Sequence, residues 1–157
     1  MTQQIAVERF TREYFEVLDE TFEHVHGIYL DAGTSLFETL ETISAEEASR
    51  PVSAMCASIA GQVEHVRFYL DVLERLMRGE KVGTVDWQSS WWLKTVTPEE
   101  WEALKGRLRD AYGSVLGLMK GFDAWDGEND IAGALAVLVH TAYHLGEIRQ
   151  ATCIVKQ

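Results

Sequence analysis

The residues best suited to chemistry are histidines in apolar, helix-forming parts of the chain. His140 and His144 are four residues apart, so a helix would place both imidazoles on one face, one turn apart. Such a pair offers two ring nitrogens to a single metal ion, but the same spacing also arises by chance in surface and core histidines. The pair alone therefore does not establish a metal site.

His65 adds a third imidazole at a matching depth. It lies near the middle of an expected helix over residues 53–78, and the pair His140 and His144 straddles the middle of another over residues 131–155. Each borders an apolar stripe, so all three should face the interior at similar height. Burying three imidazoles without partners is costly, whereas a divalent ion would use their lone pairs and leave positions open for water or substrate. We therefore predict a metal site on His65, His140 and His144.

Hydrophobic periodicity predicts that an all-α fold positions these residues. Apolar side chains recur at steps of three and four over residues 8–43, 53–78, 98–122 and 131–155, and no alternating strand pattern occurs. We expect the first segment to be one long helix, kinked near Gly33, where Thr34 or Ser35 could cap a restarted segment. Ser44 and Thr97 each open a capping-box pattern, which predicts a short helical turn and the third long helix.

The connection over residues 79–96 distinguishes between topologies. Adjacent antiparallel helices in bundles usually need only about 2–8 linking residues, and this connection has 18. At about 3.3 Å per residue it can run the length of a helix, so the third helix can lie parallel to the second. We predict one domain over residues 1–157, a four-helix bundle in up-down-down-up order with a crossover from helix 2 to helix 3.

Composition limits the class of partner. The 157 residues are 46% hydrophobic, and 25 acidic against 14 basic side chains give a net charge of −11, which disfavours binding to nucleic acid or to a membrane surface. The N-terminus has no leader pattern, and no stretch approaches the roughly 18 apolar residues of a spanning helix. A cytoplasmic location is expected. Cys56 and Cys153 lie far apart, which suggests buried, reduced thiols.

Taken together, these segments resemble the DinB/YfiT-like metalloenzyme superfamily of four-helix bundles. The resemblance implies that His65, His140 and His144 ligate a divalent ion, most often zinc or nickel, that the topology is up-down-down-up, and that the chain forms a homodimer. Relatives include transferases of low-molecular-weight thiols, so the resemblance implies a small-molecule substrate. The segments that carry it are residues 61–71 around His65, residues 140–150 around the histidine pair, residues 35–44 and the tryptophan-rich residues 86–91.

Three functions remain open on the sequence. The first is a metal-dependent enzyme that transfers or adds a small thiol, the second is a metal-containing binding or stress-response module without turnover, and the third is a purely structural helical dimer. Glu147, one turn beyond His144, is the candidate catalytic residue, because its carboxylate could orient an imidazole or move protons. That Glu147 is an ordinary surface carboxylate without a catalytic role is an equally good interpretation.

Several other residues have both a functional and a structural interpretation. His26 could reach the pocket, although a lone histidine is more often structural. The tryptophans could line a substrate entrance or simply anchor the crossover loop by burying aromatic area. The basic residues could form a patch for an anionic substrate or be ordinary solvated charges. The residues in the last two groups are Trp87, Trp91 and Trp92, and Arg67, Lys94 and Arg149.

Overall fold

A computed structural model describes residues 5–157 as an assembly of helices. Residues 1–4 lie outside the described part of the chain. They belong to the N-terminal stretch for which the sequence predicts no leader. Within residues 5–157 there are six α-helices and no β-strand, so the all-α prediction is confirmed. The helices are α1 (Val7–Phe22), α2 (Leu36–Glu41), α3 (Ala45–Ser49), α4 (Ile59–Met77), α5 (Pro98–Lys120) and α6 (Asp130–Val155).

The prediction of one long first helix is wrong. The chain leaves the helix after Phe22 and becomes helical again only at Leu36. Gly27 and Gly33 in the intervening segment have φ values of +82° and +75°, a left-handed conformation that does not occur within a continuous α-helix and that glycine adopts without strain. The restart itself was anticipated, because Ser35 caps α2 in a complete capping box.

Glu20 stabilises the loop that replaces the expected helix. Its buried carboxylate accepts hydrogen bonds from the backbone N–H groups of His26, Ile28, Tyr29 and Leu30, at 2.6–2.9 Å. Burial by itself raises the pKa of this carboxyl, but the four donors outweigh it and lower the pKa to about 2. The sequence analysis predicted a helix here because the apolar stripe continues through this segment. Hydrophobic periodicity does not show that a buried acidic side chain will bind the backbone N–H groups of a loop.

The second long helix is shorter than predicted. It begins at Ile59 rather than near residue 53, with Ser58 as the capping residue whose hydroxyl accepts from the Gly61 N–H. The preceding residues 50–58 are not helical, and Cys56 within them is exposed, as is Cys153 in α6. The prediction that both thiols are buried is therefore wrong.

Helices α4, α5 and α6 form the largest helix–helix contacts. Helix α4 packs against both α5 and α6, and α1 packs against α6. Helix α5 begins as predicted, with Thr97 in a capping box and Pro98 in the first turn. Near the ends of the helices, Ser114 of α5 donates to Glu74 of α4 at 2.7 Å. The residues of α4, α5 and α6 with no exposed surface are Ile59, Ala60, Val63, Leu70, Leu104, Leu108, Val115, Ala134, Val137 and Ile148.

Helix α6 is apolar on nearly every side. Within the described residues it alone is long and apolar enough to cross a membrane, with a mean hydropathy of 1.3 over an 18-residue window of which 39% is buried. The expectation that no segment reaches this level is therefore wrong for α6. Asp130, Gly133 and Leu145 of this helix are buried, and its other buried positions alternate in steps of three and four, which is the pattern of a helix that packs along a core seam. These positions are Ala134, Val137, Thr141, His144, Ile148, Ala151 and Val155.

We predict that Glu20→Gln will destabilise the fold by about 2–3 kcal/mol, because an amide retains one acceptor oxygen and loses the charge that strengthens the four hydrogen bonds. The carboxyl has a lower pKa in the folded than in the unfolded state. Its stabilisation is therefore present above about pH 4.5 and is lost as the pH falls towards about 2. Urea unfolding as a function of pH would measure both effects.

The matched control is Glu16→Gln, since Glu16 is an exposed acid on the same helix. A Glu20→Gln stability equal to that of the control at neutral pH would contradict the role assigned to the carboxylate.

Candidate metal centre

The packing of α4 against α6 brings the three predicted histidines together. His65 comes from the middle of α4, and His140 and His144 come from consecutive turns of α6. One ring nitrogen from each lies within 4.8 Å of the other two. His65 and His144 are buried and His140 is half-buried, so the expected convergence of the three imidazoles is confirmed.

Ser90 determines which nitrogen of His65 carries the proton. The Ser90 hydroxyl donates its hydrogen to the Trp87 carbonyl at 2.7 Å, so it can only accept from His65 Nδ1, which lies 2.7 Å away. Nδ1 is therefore the protonated nitrogen, and the lone pair is on Nε2. Trp91 stacks on the same imidazole, with ring centroids 3.9 Å apart, and holds its plane.

Two acceptors fix His144 in the same way. Its Nδ1 lies 3.0 Å from Glu147 Oε2 and 3.2 Å from Gln62 Oε1. Carboxylate and amide oxygens only accept, so Nδ1 is the donor and Nε2 carries the lone pair. Among the described residues His144 Nε2 has no hydrogen-bond partner. Glu147 Oε1 in turn accepts from the Tyr143 hydroxyl at 2.9 Å, which holds the carboxylate in place.

His140 lies between the other two imidazoles. Its Nε2 is 3.1 Å from His65 Nε2, and its ring stacks on Tyr69 with centroids 3.5 Å apart. Its Nδ1 is buried and has no hydrogen-bond partner in the described part of the chain. The lone pair on His65 Nε2 favours a proton on His140 Nε2 in metal-free protein. No partner in the described residues ties His140 Nδ1, so the proton can lie on Nδ1 instead and leave Nε2 as a metal ligand.

Three imidazole nitrogens are ligands that a divalent ion of the zinc type accepts, and one pair of them already has the spacing that such an ion requires. Two nitrogens on a tetrahedral ion, each about 2.05 Å from the metal, are about 3.3 Å apart, close to the 3.1 Å between the Nε2 atoms of His65 and His140. The second ring nitrogens of His65 and His144 donate to oxygen acceptors, as metal-bound histidines usually do. Three imidazoles from two helices leave at least one coordination position for another ligand.

Burial keeps the three imidazoles neutral. Burial is the main cause that lowers the pKa of His65 to about 4 and that of His140 to about 3, and repulsion between the neighbouring imidazoles is the smaller cause. Burial also lowers the pKa of His144, although Glu147 acts in the opposite direction. All three lone pairs are therefore available near neutral pH, which is the state that a metal ion requires.

A cavity of about 1000 Å³ lies beside this histidine cluster. Gln62, Trp91 and Glu147 line it, and each of them also contacts an imidazole of the cluster. Much of its wall comes from residues 51–58, and the part of this segment that was expected to be helical, residues 53–58, is not. The cavity therefore gives a small molecule access to the residues that orient His65 and His144.

Of the three tryptophans, Trp91 alone both contacts a histidine of the cluster and lines the cavity. Trp87 packs against Tyr69 and Phe68, as an anchor of the crossover loop would, and the side chain of Trp92 is 69% exposed. His26 is outside the cluster, half-exposed and bonded to Asp19.

The proposed basic patch does not form. Arg67 is paired with Glu64 and Asp71, and Arg149 is not among the residues that line the cavity. Lys94 does line it. One of the three candidate cations is therefore placed where it could meet a ligand.

Sequence reasoning missed Ser90 and Gln62. Gln62 lies one turn before His65 on α4, and this spacing could have identified it as a neighbour of the site. Ser90 lies in an irregular loop, where no periodicity predicts which side chain reaches the helices.

Comparisons of this chain with protein-family models, curated proteins and solved structures find no match. The interpretation of the histidine cluster therefore depends on its own geometry and chemistry.

We predict that, in metal-free protein near pH 6.5, nuclear magnetic resonance of the imidazole nitrogens will show neutral His65 and His144 with the proton on Nδ1. Because the pKa values of His65 and His140 are lowered to about 4 and about 3, the cluster takes up protons less readily when folded than when unfolded. The free energy of unfolding should therefore fall as the pH drops below about 6.5. A protonated His65 imidazole at that pH, or a proton on its Nε2, would contradict the assignment.

Proposed function

We propose that this protein binds one divalent metal ion through the Nε2 atoms of His65, His140 and His144. The observation that carries the proposal is the placement of protons by the surrounding acceptors. Ser90 holds the proton of His65 on Nδ1, and Gln62 and Glu147 hold the proton of His144 on Nδ1. The lone pairs of both Nε2 atoms therefore lie within the cluster. The described residues place no cation or proton donor there that could pair with all of them. An ion there would be zinc or nickel by the resemblance, and an all-imidazole site also accepts cobalt, copper or iron.

We further propose that the chain is a DinB/YfiT-like four-helix bundle formed by α1, α4, α5 and α6 in up-down-down-up order. Supporting this order, Gly133 at the start of α6 lies against Met77 at the end of α4, as antiparallel helices require. Ser114 and Glu74, both towards the C-terminal ends of their helices, are hydrogen-bonded, as parallel α4 and α5 require. The irregular crossover between Met77 and Pro98 is long enough for that arrangement.

The proposed activity is metal-dependent transfer of a low-molecular-weight thiol. A divalent ion on neutral imidazoles, when bound, lowers the pKa of a thiol and so supplies thiolate at neutral pH. Glu147 would take up the thiol proton, and the sulfur would form a bond to an electrophilic carbon of the second substrate while a leaving group departs. The position of Glu147 supports this role, since the carboxylate contacts His144 and also faces the cavity.

The alternative is a metal-containing stress-response or binding module without turnover. It shares the histidine cluster and differs only in the absence of a reaction in the cavity. For either function we propose a cytoplasmic protein that does not bind nucleic acid or membranes, in keeping with the net charge of −11.

We predict that about one divalent ion binds per chain, and that His65→Ala or His144→Ala greatly weakens binding while helical circular dichroism changes little. Elemental analysis and calorimetric zinc titration of protein without a histidine tag would measure the stoichiometry. His24→Ala is the matched control, since His24 is an exposed histidine outside the cluster. Equal metal content in all three variants would refute the site.

We predict that metal-loaded protein, and not metal-free protein, will conjugate bacillithiol, mycothiol or glutathione to an electrophile. Glu147→Gln should slow the reaction by about 10²–10⁴-fold, as expected for loss of a general base. The double variant Cys56→Ser with Cys153→Ser should retain activity, although Cys56 lines the cavity.

Thiol consumption would be followed for each of the three thiols. Activity lost only in the double cysteine variant would move the nucleophile to the protein itself. Equal rates for metal-loaded, metal-free and His144→Ala protein would instead favour the non-catalytic module.

We also propose a homodimer, but not through the early turns of α1. Tyr14 there is buried, donates to the Ala134 carbonyl and packs with Trp125. Exposed apolar side chains on α6 support a different face, because Leu135 is 44% and Val139 64% exposed.

We therefore predict that light scattering will give the mass of a dimer and that Val139→Glu will give the mass of a single chain. The control is Val7→Glu, since Val7 is an exposed valine on α1. A single-chain mass for the unmodified protein at micromolar concentration would contradict the dimer.

A further inference from the structure

The cavity beside the histidine cluster has the size and lining of a binding site for a small organic molecule. Its volume of about 1000 Å³ is at the upper end of the usual range for ligand pockets. Apolar side chains form much of the wall, including Val52, Met55, Leu93 and Ile154. Met55 is 94% exposed, so the wall presents apolar surface that the protein itself leaves uncovered.

A glycine in α6 contributes to the width of the cavity. Gly146 lines it in the interior of a long helix, where glycine costs about 1 kcal/mol relative to alanine. A Cβ built on Gly146 would meet no atom within 4 Å, so no neighbouring protein group requires a glycine there. The missing side chain instead leaves room in the cavity.

The charges at the cavity indicate the sign of the ligand. Lys94 is the one basic side chain in the lining and Glu147 is the one acid. The Glu147 carboxylate already accepts hydrogen bonds from His144 and Tyr143. No carboxylate in the described residues lies within ion-pair distance of the Lys94 ammonium, although the chain carries an excess of 11 negative charges. An anionic group could therefore pair with Lys94 without displacing a partner.

We propose that this cavity binds a small molecule with an apolar, ring-sized body and one anionic group. The anionic group pairs with Lys94, the body lies against the apolar wall over Gly146, and the far end reaches Trp91 and Glu147. That this ligand is the second substrate rests on the proposed metal-dependent activity, whereas its binding to the cavity does not.

The test compares naphthylacetate with naphthylethanol, which have the same aromatic body and differ in charge. Tryptophan fluorescence and saturation-transfer difference nuclear magnetic resonance would measure the affinity for each probe. Both measurements would be made in protein treated with chelator and in protein loaded with zinc. We expect saturable binding of both probes. Lys94→Gln should weaken binding of the acid by about 2- to 5-fold, the range for an exposed ion pair, and leave the alcohol unchanged.

Two further variants test the position of the ligand. Gly146→Phe should weaken binding of both probes, because its ring would occupy the part of the cavity where the body of the ligand lies. Met55→Glu should weaken the acid more than the alcohol without affecting folding, because Met55 is exposed. Lys81→Gln is the matched control, since Lys81 is an exposed lysine outside the cavity lining.

Absence of saturable binding would overturn the proposal, as would equal effects of Lys94→Gln on both probes or full binding by Gly146→Phe with native circular dichroism. Binding that follows the expected pattern in chelator-treated protein, together with failure to retain zinc, would support the cavity and refute the metal site. The two proposals therefore fail separately.

Discussion

The register of α4 against α6 is the constraint on which the histidine cluster depends. A slip of one helical turn, about 5.4 Å, would separate the Nε2 atoms of His65 and His140, which are 3.1 Å apart. Gly133 and Met77 meet at the other end of the helix pair. A Cβ on Gly133 would lie 2.6 Å from Met77 Cγ, so any larger residue there would force the Met77 side chain to move. The packing of α4 against α6 therefore determines both the core between these helices and the distances between the three histidines.

The crossover loop completes the site from outside that helix pair. It lies so close to α4 that a Cβ on Gly61 would be 2.8 Å from the Leu93 carbonyl oxygen, a contact that a backbone atom cannot relieve. This approach places Ser90 and Trp91 against His65, one fixing its proton and the other its ring plane. The loop thus contributes to the chemistry of the site, and its irregular structure is what brings a hydroxyl and an indole to the same imidazole.

Residue spacing was sufficient to predict the all-α class, the starts of α2, α3 and α5, and the meeting of His65 with His140 and His144. These features depend on local capping and on periodicity, which a single sequence displays. Residue spacing was insufficient where the hydrogen bonds of one particular side chain decide the conformation. The loop after Phe22 depends on Glu20, the late start of α4 on the Ser58 cap, and the orientation of His65 on Ser90. Helix α6 was ambiguous for a different reason, because a helix that is apolar on nearly every side does not show by composition which face is buried.

The positions of the protons on His65, His140 and His144 are the reason to infer that the cluster binds a cation. His65 and His144 carry their protons on Nδ1, so at most one of the three Nε2 atoms, that of His140, can hold a hydrogen while the rings are neutral. One hydrogen can satisfy one pair, between His140 and His65, and it leaves His144 Nε2 without a donor. A second proton is disfavoured, because burial and mutual repulsion lower the pKa values of the cluster. A core selected only for stability would do better with apolar side chains of similar volume. A single divalent ion can accept all three lone pairs at once, which is why we infer that these three helix positions carry histidines.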